Sequence, residues 1–223
     1  MYDVKKSLHA VLDTLPSGVR LVAISKFHPA EYIEAAYAEG QRIFGESHEQ
    51  ELRVKHEQLP KDIEWHFIGH LQTNKVKYIA PYVSMIEAVD SLKLLQEINR
   101  QAERCGRVIR VLLELHIAEE ATKYGLTLDA CRELLEGGEW RSMTHVQICG
   151  LMMMASFVDD QEQIRREMQT AADFFDEVKM KYFVNDDAFC ERSWGMSDDY
   201  LIACETRSTM VRIGTAIFGP RIY

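Results

Sequence analysis

The chain has 223 residues, of which 47% are hydrophobic and 27% charged, an ordinary composition for a soluble protein and enough for one sizeable α/β domain. Its formal net charge of −9 argues against a general nucleic-acid binder, because such proteins present a basic face. No apolar run reaches the length of a membrane span and no signal peptide is evident, so we expect a cytoplasmic protein with neither nucleic acid nor membrane as a partner.

Short β-rich runs alternate with helical stretches along the chain. The predicted strands cover 20–25, 42–44, 64–67, 83–88, 108–114, 146–152, 191–194 and 210–213. The predicted helices cover 2–14, 30–39, 47–58, 72–79, 91–104, 127–136, 160–181 and 198–206. Strands separated by helices predict a parallel sheet, and the number of strands favours a closed (β/α)8 barrel over an open sheet. Because no linker or low-complexity stretch interrupts the pattern, we expect residues 1–223 to form a single domain.

Lys26 directly follows the first predicted strand, an apolar run over 20–25. A lysine seldom lies at the buried end of a strand without a partner or a chemical role. An ammonium group removed from water loses its charge readily, and the neutral amine can attack a carbonyl carbon to form a Schiff base. Lys26 therefore indicates either an anionic ligand or an aldehyde cofactor.

The turns after the last two predicted strands have the residues of a phosphate site, which commonly follows strands 7 and 8 of such barrels. After strand 7, Gly195 lets the backbone approach a ligand, and Ser197 is predicted to be the N-cap of the next helix. After strand 8, Gly214 and Thr215 offer backbone amides and a hydroxyl group. Arg212 on that strand is predicted to point into the barrel mouth, to meet either a ligand or a structural carboxylate. Both turns could equally be ordinary strand-to-helix connections that bind no ligand.

Metal binding is not expected from the remaining motifs. His66 and His70 flank Gly69 at a strand-to-loop position, which breaks helical i,i+4 geometry, and no third ligand is near them in the sequence. The five cysteines are widely spaced without a CxxC pair, which argues against zinc or a disulfide framework and favours a reducing compartment. In the methionine run after Leu151, only Met152 is predicted to face inward, as core filler or pocket lining.

Together these motifs resemble the pyridoxal phosphate homeostasis protein family, whose barrel is similar to the N-terminal domain of alanine racemase. They are Ala23-Ile24-Ser25-Lys26, Phe44-Gly45-Glu46-Ser47, Trp65-His66-Phe67-Ile68-Gly69-His70-Leu71-Gln72-Thr73-Asn74-Lys75, Gly150-Leu151-Met152, Gly195-Met196-Ser197 and Arg212-Ile213-Gly214-Thr215-Ala216-Ile217-Phe218-Gly219. The third and the last are long and specific. The resemblance implies a (β/α)8 TIM barrel of the PLP fold-type III kind with an extra N-terminal helix.

The resemblance also implies roles for individual residues in binding pyridoxal 5′-phosphate (PLP). The cofactor-binding residues it implies are Lys26, Ser47, Met152, Ser197, Arg212, Gly214 and Thr215. Among these, Lys26 would form the Schiff base, the residues of the last two turns would hold the phosphate, and Arg212 would face the pyridine nitrogen. Ser47 replaces the usual asparagine of the family, and Arg192, Trp194 and Tyr124 also depart from its pattern, so we expect these positions to alter the pocket wall.

The function implied is PLP homeostasis, in which the protein stores, buffers or delivers the cofactor to PLP-dependent apo-enzymes as a monomer or weak dimer. Arg212 beside the ring nitrogen would disfavour protonation of that nitrogen and so make the ring a weaker electron sink. The alternative is an amino-acid racemase-like PLP enzyme, in which Tyr124 or Tyr223 would supply a second acid. A third hypothesis is a barrel that binds another phosphorylated metabolite, with Lys26 as a counter-charge.

Overall fold

The computed structural model describes residues 2–117 and 124–220, and in this part of the chain eight parallel strands close into a barrel in sequence order. The strands are β1 (Arg20–Ile24), β2 (Ile43–Glu46), β3 (Glu64–Phe67), β4 (Met85–Val89), β5 (Ile109–Leu115), β6 (Val146–Met153), β7 (Glu191–Ser193) and β8 (Met210–Ile213). Closure is made by β1, which pairs Ala23 with Phe44 of β2 on one side and with Ile213 of β8 on the other. The predicted (β/α)8 barrel is confirmed.

Helices surround this barrel. They are α1 (Val4–Leu12), α2 (Ala30–Ala38), α3 (Glu49–Gln58), α4 (Val76–Ile79), α5 (Leu92–Arg104), α6 (Leu128–Gly137), α7 (Gln161–Tyr182), α8 (Tyr200–Glu205) and α9 (Thr215–Phe218). The extra N-terminal helix is confirmed as α1, which buries Val4, Leu8 and Val11 on one face, as its helical spacing requires. None of the described helices combines the length and the apolar character needed to cross a membrane.

The segment 72–79 differs from the single helix predicted there. It divides into a 3₁₀ turn over Thr73–Lys75 and the short α4. Neither piece has a side-chain hydrogen bond at its N-cap. Pro81 follows Ala80, which still has helical backbone angles, and Pro81 has no N–H to donate the next hydrogen bond of the helix.

The core has two parts because successive strand residues point to opposite faces of the sheet. Val22 and Ile24 belong to an inner cluster inside the barrel, whereas Leu21 and Ala23 pack in the larger cluster under the helices. Met152 is fully buried in the inner cluster. Met154, two residues later, packs against the same cluster, so the prediction that Met152 alone faces inward was wrong.

Gly195, in the turn after β7, is required by both backbone conformation and packing. Its φ of +94° lies in the left-handed region, which favours glycine. A Cβ atom at this position would lie 2.5 Å from the Cβ of Ala203 and 3.0 Å from the Cα of Tyr200. Gly195 therefore lets α8 lie directly against the turn that ends β7.

We predict that Gly195→Ala lowers the free energy of unfolding by more than about 1 kcal/mol. The new methyl group strains the backbone and also clashes with Ala203 and Tyr200. The matched control is Gly106→Ala, since Gly106 has a φ of +64° but a methyl group there would meet no atom within 4 Å. Urea unfolding of the two variants measures the difference. Equal losses would contradict a role for the contact with α8.

Candidate functional site

A cavity of about 420 Å³ opens at the C-terminal ends of the strands, where (β/α)8 barrels place their ligand sites. Its volume lies in the range of about 300–1,000 Å³ typical of small-molecule sites. Six of the predicted cofactor-binding residues line it, namely Lys26, Ser47, Ser197, Arg212, Gly214 and Thr215. The seventh, Met152, is buried in the inner cluster and is not part of this wall, where Met154 lies instead.

The backbone around Lys26 has an unusual conformation. Lys26 follows β1 and is half-buried, and the next residue, Phe27, has a φ of +64°. For a bulky residue this left-handed conformation is strained, so surrounding contacts must maintain it. One of them is the Phe27 N–H, which donates a hydrogen bond of 2.7 Å to Oε1 of Glu51 on α3.

A buried ion network supports this turn from behind. The Nζ of Lys55 donates hydrogen bonds of 2.7 Å to the Ser25 carbonyl, to Glu46 Oε1 and to Glu51 Oε1. Ser25 Oγ donates a further bond of 2.6 Å to Glu46. Burial raises the pKa of Glu46 to about 7, against the opposing effect of the Lys55 charge. The network joins β1, β2 and α3 and holds the residues directly before and after Lys26. The backbone position of Lys26 is therefore fixed.

The turns after β7 and β8 contact each other in the cavity wall next to the end of β1. Ser197 Oγ accepts a hydrogen bond of 3.3 Å from the Gly214 N–H. The prediction of Ser197 as an N-cap was wrong, because α8 begins at Tyr200 with Asp199 as its N-cap. The Asp199 side chain accepts a hydrogen bond from the Met196 N–H, which shapes the intervening residues into a turn of their own.

Arg212 is buried at 3% exposure and is held in one orientation. Its Nη1 donates to the Ser193 carbonyl at 2.7 Å and to Ser193 Oγ at 2.6 Å, and its Nη2 donates to the Met153 carbonyl at 2.8 Å. It also lies 3.9 Å from Glu87 Oε2. Arg212 therefore lines the cavity and is also close to a structural carboxylate.

Glu87 on β4 is the centre of a buried polar chain across the barrel. It accepts a hydrogen bond of 2.6 Å from Ser193 Oγ, and its Oε1 lies 2.6 Å from His66 Nδ1. Burial acts to raise the pKa of Glu87, but the hydrogen bond and charge of His66, the Arg212 charge and the Ser193 bond outweigh it and lower that pKa. His66 is thus buried and packed against the Glu87 carboxylate. Among the described residues, no group of three or more His, Cys, Asp or Glu could hold a metal ion.

Glu114, which the sequence did not single out, also lines the cavity. It is 3% exposed near the end of β5, and its Oε2 has no hydrogen-bond partner among the described residues. Burial, then the Asp90 charge, raises the pKa of Glu114 to about 7, while Arg212 acts in the opposite direction. Strand alternation explains why Glu114 points into the barrel. Residues two apart in a strand lie on the same face of the sheet, and Leu112 faces inward, so Glu114 does too.

An aromatic pair forms part of the rim. The rings of Tyr124 and His70 stack with centroids 4.0 Å apart, and His70 Nδ1 lies 3.1 Å from Asp90 Oδ2. Tyr124 lines the cavity, whereas Tyr223 lies outside the described residues.

Two of the positions expected to alter the pocket wall do not line this cavity. Trp194 is fully buried in the outer core cluster, and the Arg192 guanidinium lies 4.1 Å above the Phe175 ring. Both side chains of the strand-7 segment turn away from the barrel interior toward the helices, so any effect they have on the pocket wall is indirect.

We predict that Glu87→Ala lowers the free energy of unfolding by about 3–5 kcal/mol, because it leaves the buried Arg212 and His66 without their carboxylate. Glu87→Gln keeps the shape of the side chain and removes only its charge, so it lowers the free energy of unfolding by less than Glu87→Ala does. The lowered pKa of Glu87 means that its charge stabilises the fold above the ordinary carboxyl pKa and ceases to do so as the pH falls through the folded-state value.

Urea unfolding of wild type and Glu87→Gln over a pH series measures this charge effect. The two stabilities converge as the solution becomes acidic enough to protonate Glu87. A difference that stays constant down to about pH 3 would contradict the role given to the charge.

Comparisons with known proteins identify relatives over almost the whole chain. A family model described as the alanine racemase N-terminal domain matches residues 4–221. A pyridoxal phosphate homeostasis protein of Aquifex aeolicus is 37% identical over 92% of this chain and 88% of its own length. The structure of PipY from Synechococcus elongatus with PLP bound aligns with a TM-score of 0.87 and 32% identity, over 97% of this chain and 100% of that chain. An alanine racemase of Clostridium difficile aligns with a TM-score of 0.72 and 14% identity over 98% of this chain and 56% of that one, a likeness of fold alone.

Proposed function

The chain belongs to the pyridoxal phosphate homeostasis protein family, within the alanine racemase N-terminal domain family, and we propose that it binds PLP through a Schiff base at Lys26. In this role it stores, buffers or delivers the cofactor, with PLP-dependent apo-enzymes as recipients. The observation that carries the proposal is the shared wall of one cavity, which brings Lys26 together with Arg212 and the turns of Ser197 and Gly214.

The groups on this wall match the parts of the cofactor. The Lys26 amine would hold the cofactor by a Schiff base to its aldehyde carbon, with loss of the aldehyde oxygen as water. The Ser197 and Thr215 hydroxyls and the first amides of α9 suit a phosphate, since the first N–H groups of a helix have no intrahelical acceptor. The close approach of β1 to the last turn supports this fit, because a Cβ on Gly214 would lie 3.1 Å from the Ile24 carbonyl oxygen.

The exposure of the phosphate turns supports exchange of the cofactor with the surroundings. Thr215 is exposed, and Ser197 and Gly214 are half-buried, so solvent reaches this end of the cavity. A site open to solvent lets an amine or an apo-enzyme approach bound PLP without unfolding of the barrel. This feature suits storage and delivery.

Arg212 favours binding over carbanion chemistry. PLP supplies an electron sink when its ring nitrogen is protonated, and a guanidinium that stays charged disfavours that protonation. The hydrogen bonds of Arg212 to Ser193 and Met153 hold the guanidinium in place, so this effect does not depend on ligand binding. The racemase-like alternative rests on Tyr124, which lines the same cavity.

We predict that protein reconstituted with PLP is yellow, loses its colour on borohydride reduction, and then carries the adduct on Lys26. Lys26→Ala forms no adduct, whereas Lys93→Ala behaves as wild type because Lys93 is exposed on α5 and does not line the cavity. Absorbance spectra and peptide mass mapping give the result. An adduct on another lysine, or none, would overturn the proposal, and an adduct on Lys26 would exclude a simple counter-charge.

A second prediction separates the phosphate contacts from the Schiff base. Ser197→Ala and Thr215→Val weaken PLP binding by about tenfold each, the effect expected of one hydrogen bond to a charged group. Both variants bind pyridoxal, which lacks the phosphate, as wild type does. Absorbance titration with the two compounds tests this, and an equal loss for both compounds would contradict a phosphate role for these turns.

The racemase-like alternative has its own test. Incubation of the PLP-loaded protein with single enantiomers of amino acids, followed by chiral chromatography, measures racemisation. A substantial rate that is lost in both Lys26→Ala and Tyr124→Phe would replace the homeostasis proposal with an enzymatic one. We expect no such rate.

A further inference from the structure

The cavity wall carries charges of both signs. Lys26 just after β1 and Arg212 on β8 lie next to the phosphate turns, where Asp198 also lines the wall. In a closed barrel of eight strands in sequence order, β5 lies opposite β1, so Glu114 faces Lys26 from across the opening. Asp90, which follows β4, adds negative charge on the Glu114 side. Charges of both signs in one cavity suit two ligand groups of opposite sign.

Glu114 places a buried carboxyl group in the cavity wall. Its Oε2 is buried and has no hydrogen-bond partner among the described residues, although burial without one is costly. The nearby Arg212 does not supply it, because its Nη atoms donate to Ser193 and Met153. A donor that enters the cavity would satisfy this carboxyl group.

We propose that Glu114 forms an ammonium subsite, which binds the cationic group of a primary amine entering beside PLP and accepts one of its protons. This inference rests on the proposed function and names the class of second ligand, primary amines. Anionic ligands are disfavoured there, since Glu114 and Asp90 would repel them.

The proton transfer prepares the amine to compete with Lys26. One proton moves from the ammonium nitrogen to the Glu114 carboxylate, and no electron is transferred. The neutral amine would then bond to the carbon that holds the Lys26 nitrogen, and its two N–H protons would pass to that nitrogen as the bond from the carbon to Lys26 breaks. The released Lys26 amine would take the proton held by Glu114. The exchange balances in atoms and charge, and it releases the cofactor as an adduct of the amine.

The surroundings of Glu114 place its titration near neutral pH. The charged and titratable groups that act on it or share its cavity come from several elements. They are Asp90 after β4, His70 after β3, Tyr124 after β5, Asp198 after β7, Lys26 and His28 after β1, and Arg212 on β8. From β6 it meets the apolar Met152, its register partner. Burial and Asp90 raise its pKa to about 7. Deprotonation through this range turns the group into a proton acceptor, so exchange with ammonium ligands quickens as the pH rises through it.

The test compares two nucleophiles on PLP-loaded protein. Ethylamine is an ammonium ion at neutral pH, whereas methoxyamine is uncharged and needs no proton acceptor. We expect Glu114→Gln to slow removal of PLP by ethylamine by about tenfold or more, the effect of one charge-assisted hydrogen bond, and to change removal by methoxyamine by less than about twofold. Glu103→Gln, an exposed change on α5, serves as the matched control and behaves as wild type with both. Stopped-flow absorbance follows the loss of the bound cofactor.

A second readout uses the cofactor-free wild-type protein. Infrared difference spectra recorded across neutral pH show protonated carboxyl bands of Glu46 and Glu114 that titrate there, and Glu114→Gln removes the Glu114 band while the Glu46 band remains. The difference between wild type and Glu114→Gln isolates the titration of Glu114. Ethylammonium chloride shifts this titration to lower pH in the wild type, because a bound cation favours the carboxylate.

The outcomes separate the two proposals. Equal slowing by both nucleophiles, no slowing by either, or a carboxyl band that ethylammonium leaves unchanged would overturn the ammonium subsite. Failure of wild type to form an adduct at Lys26 would instead overturn the proposed function, while the infrared result for Glu114 would still be read independently.

Discussion

Closure of the barrel between β1 and β8 is the constraint on which the site depends. The pairing of Val22 with Arg212 and of Ala23 with Ile213 fixes the register of the two strands. This register brings the residue after β1, Lys26, beside the turn after β8, which contains Gly214. A slip of the register by one residue would turn Arg212 from the barrel interior to the helix side and remove it from the cavity.

Two buried charge networks then give the cavity its form. Lys55 joins β1, β2 and α3 behind Lys26, while Glu87 joins His66, Ser193 and Arg212 across the barrel. Buried charges stabilise a fold only when each is paired and hydrogen-bonded, and removal of one partner is costly. The networks therefore support a single arrangement of the groups that face the cavity, which is the condition for precise ligand contacts.

Strand-end motifs were readable from the sequence because they depend on local features. Lys26, Gly214 and Arg212 each stand at the end of an apolar run, and parallel strands bring such ends together. The expectations that the structure did not support depend on the residue at which a helix begins or on the direction in which a side chain points. Ser197 lies in a turn and is not the N-cap of α8, and the neighbouring Trp194 packs in the outer core.

Glu114 marks the limit of what the strand pattern alone conveys. Its inward facing follows from alternation, but its lack of a partner depends on where Arg212 donates its hydrogen bonds, which is a property of the assembled barrel. The same limit applies to Met152 and Met154. Strand alternation turns both side chains inward, but only Met154 reaches the cavity wall.

The most direct test of the account is a crystal structure of the PLP-loaded protein. The account predicts continuous density from the Lys26 side chain into the cofactor ring, with the phosphate between the turns of Ser197 and Gly214. A cofactor bound elsewhere on the barrel, or a phosphate on the Glu114 side of the cavity, would contradict it.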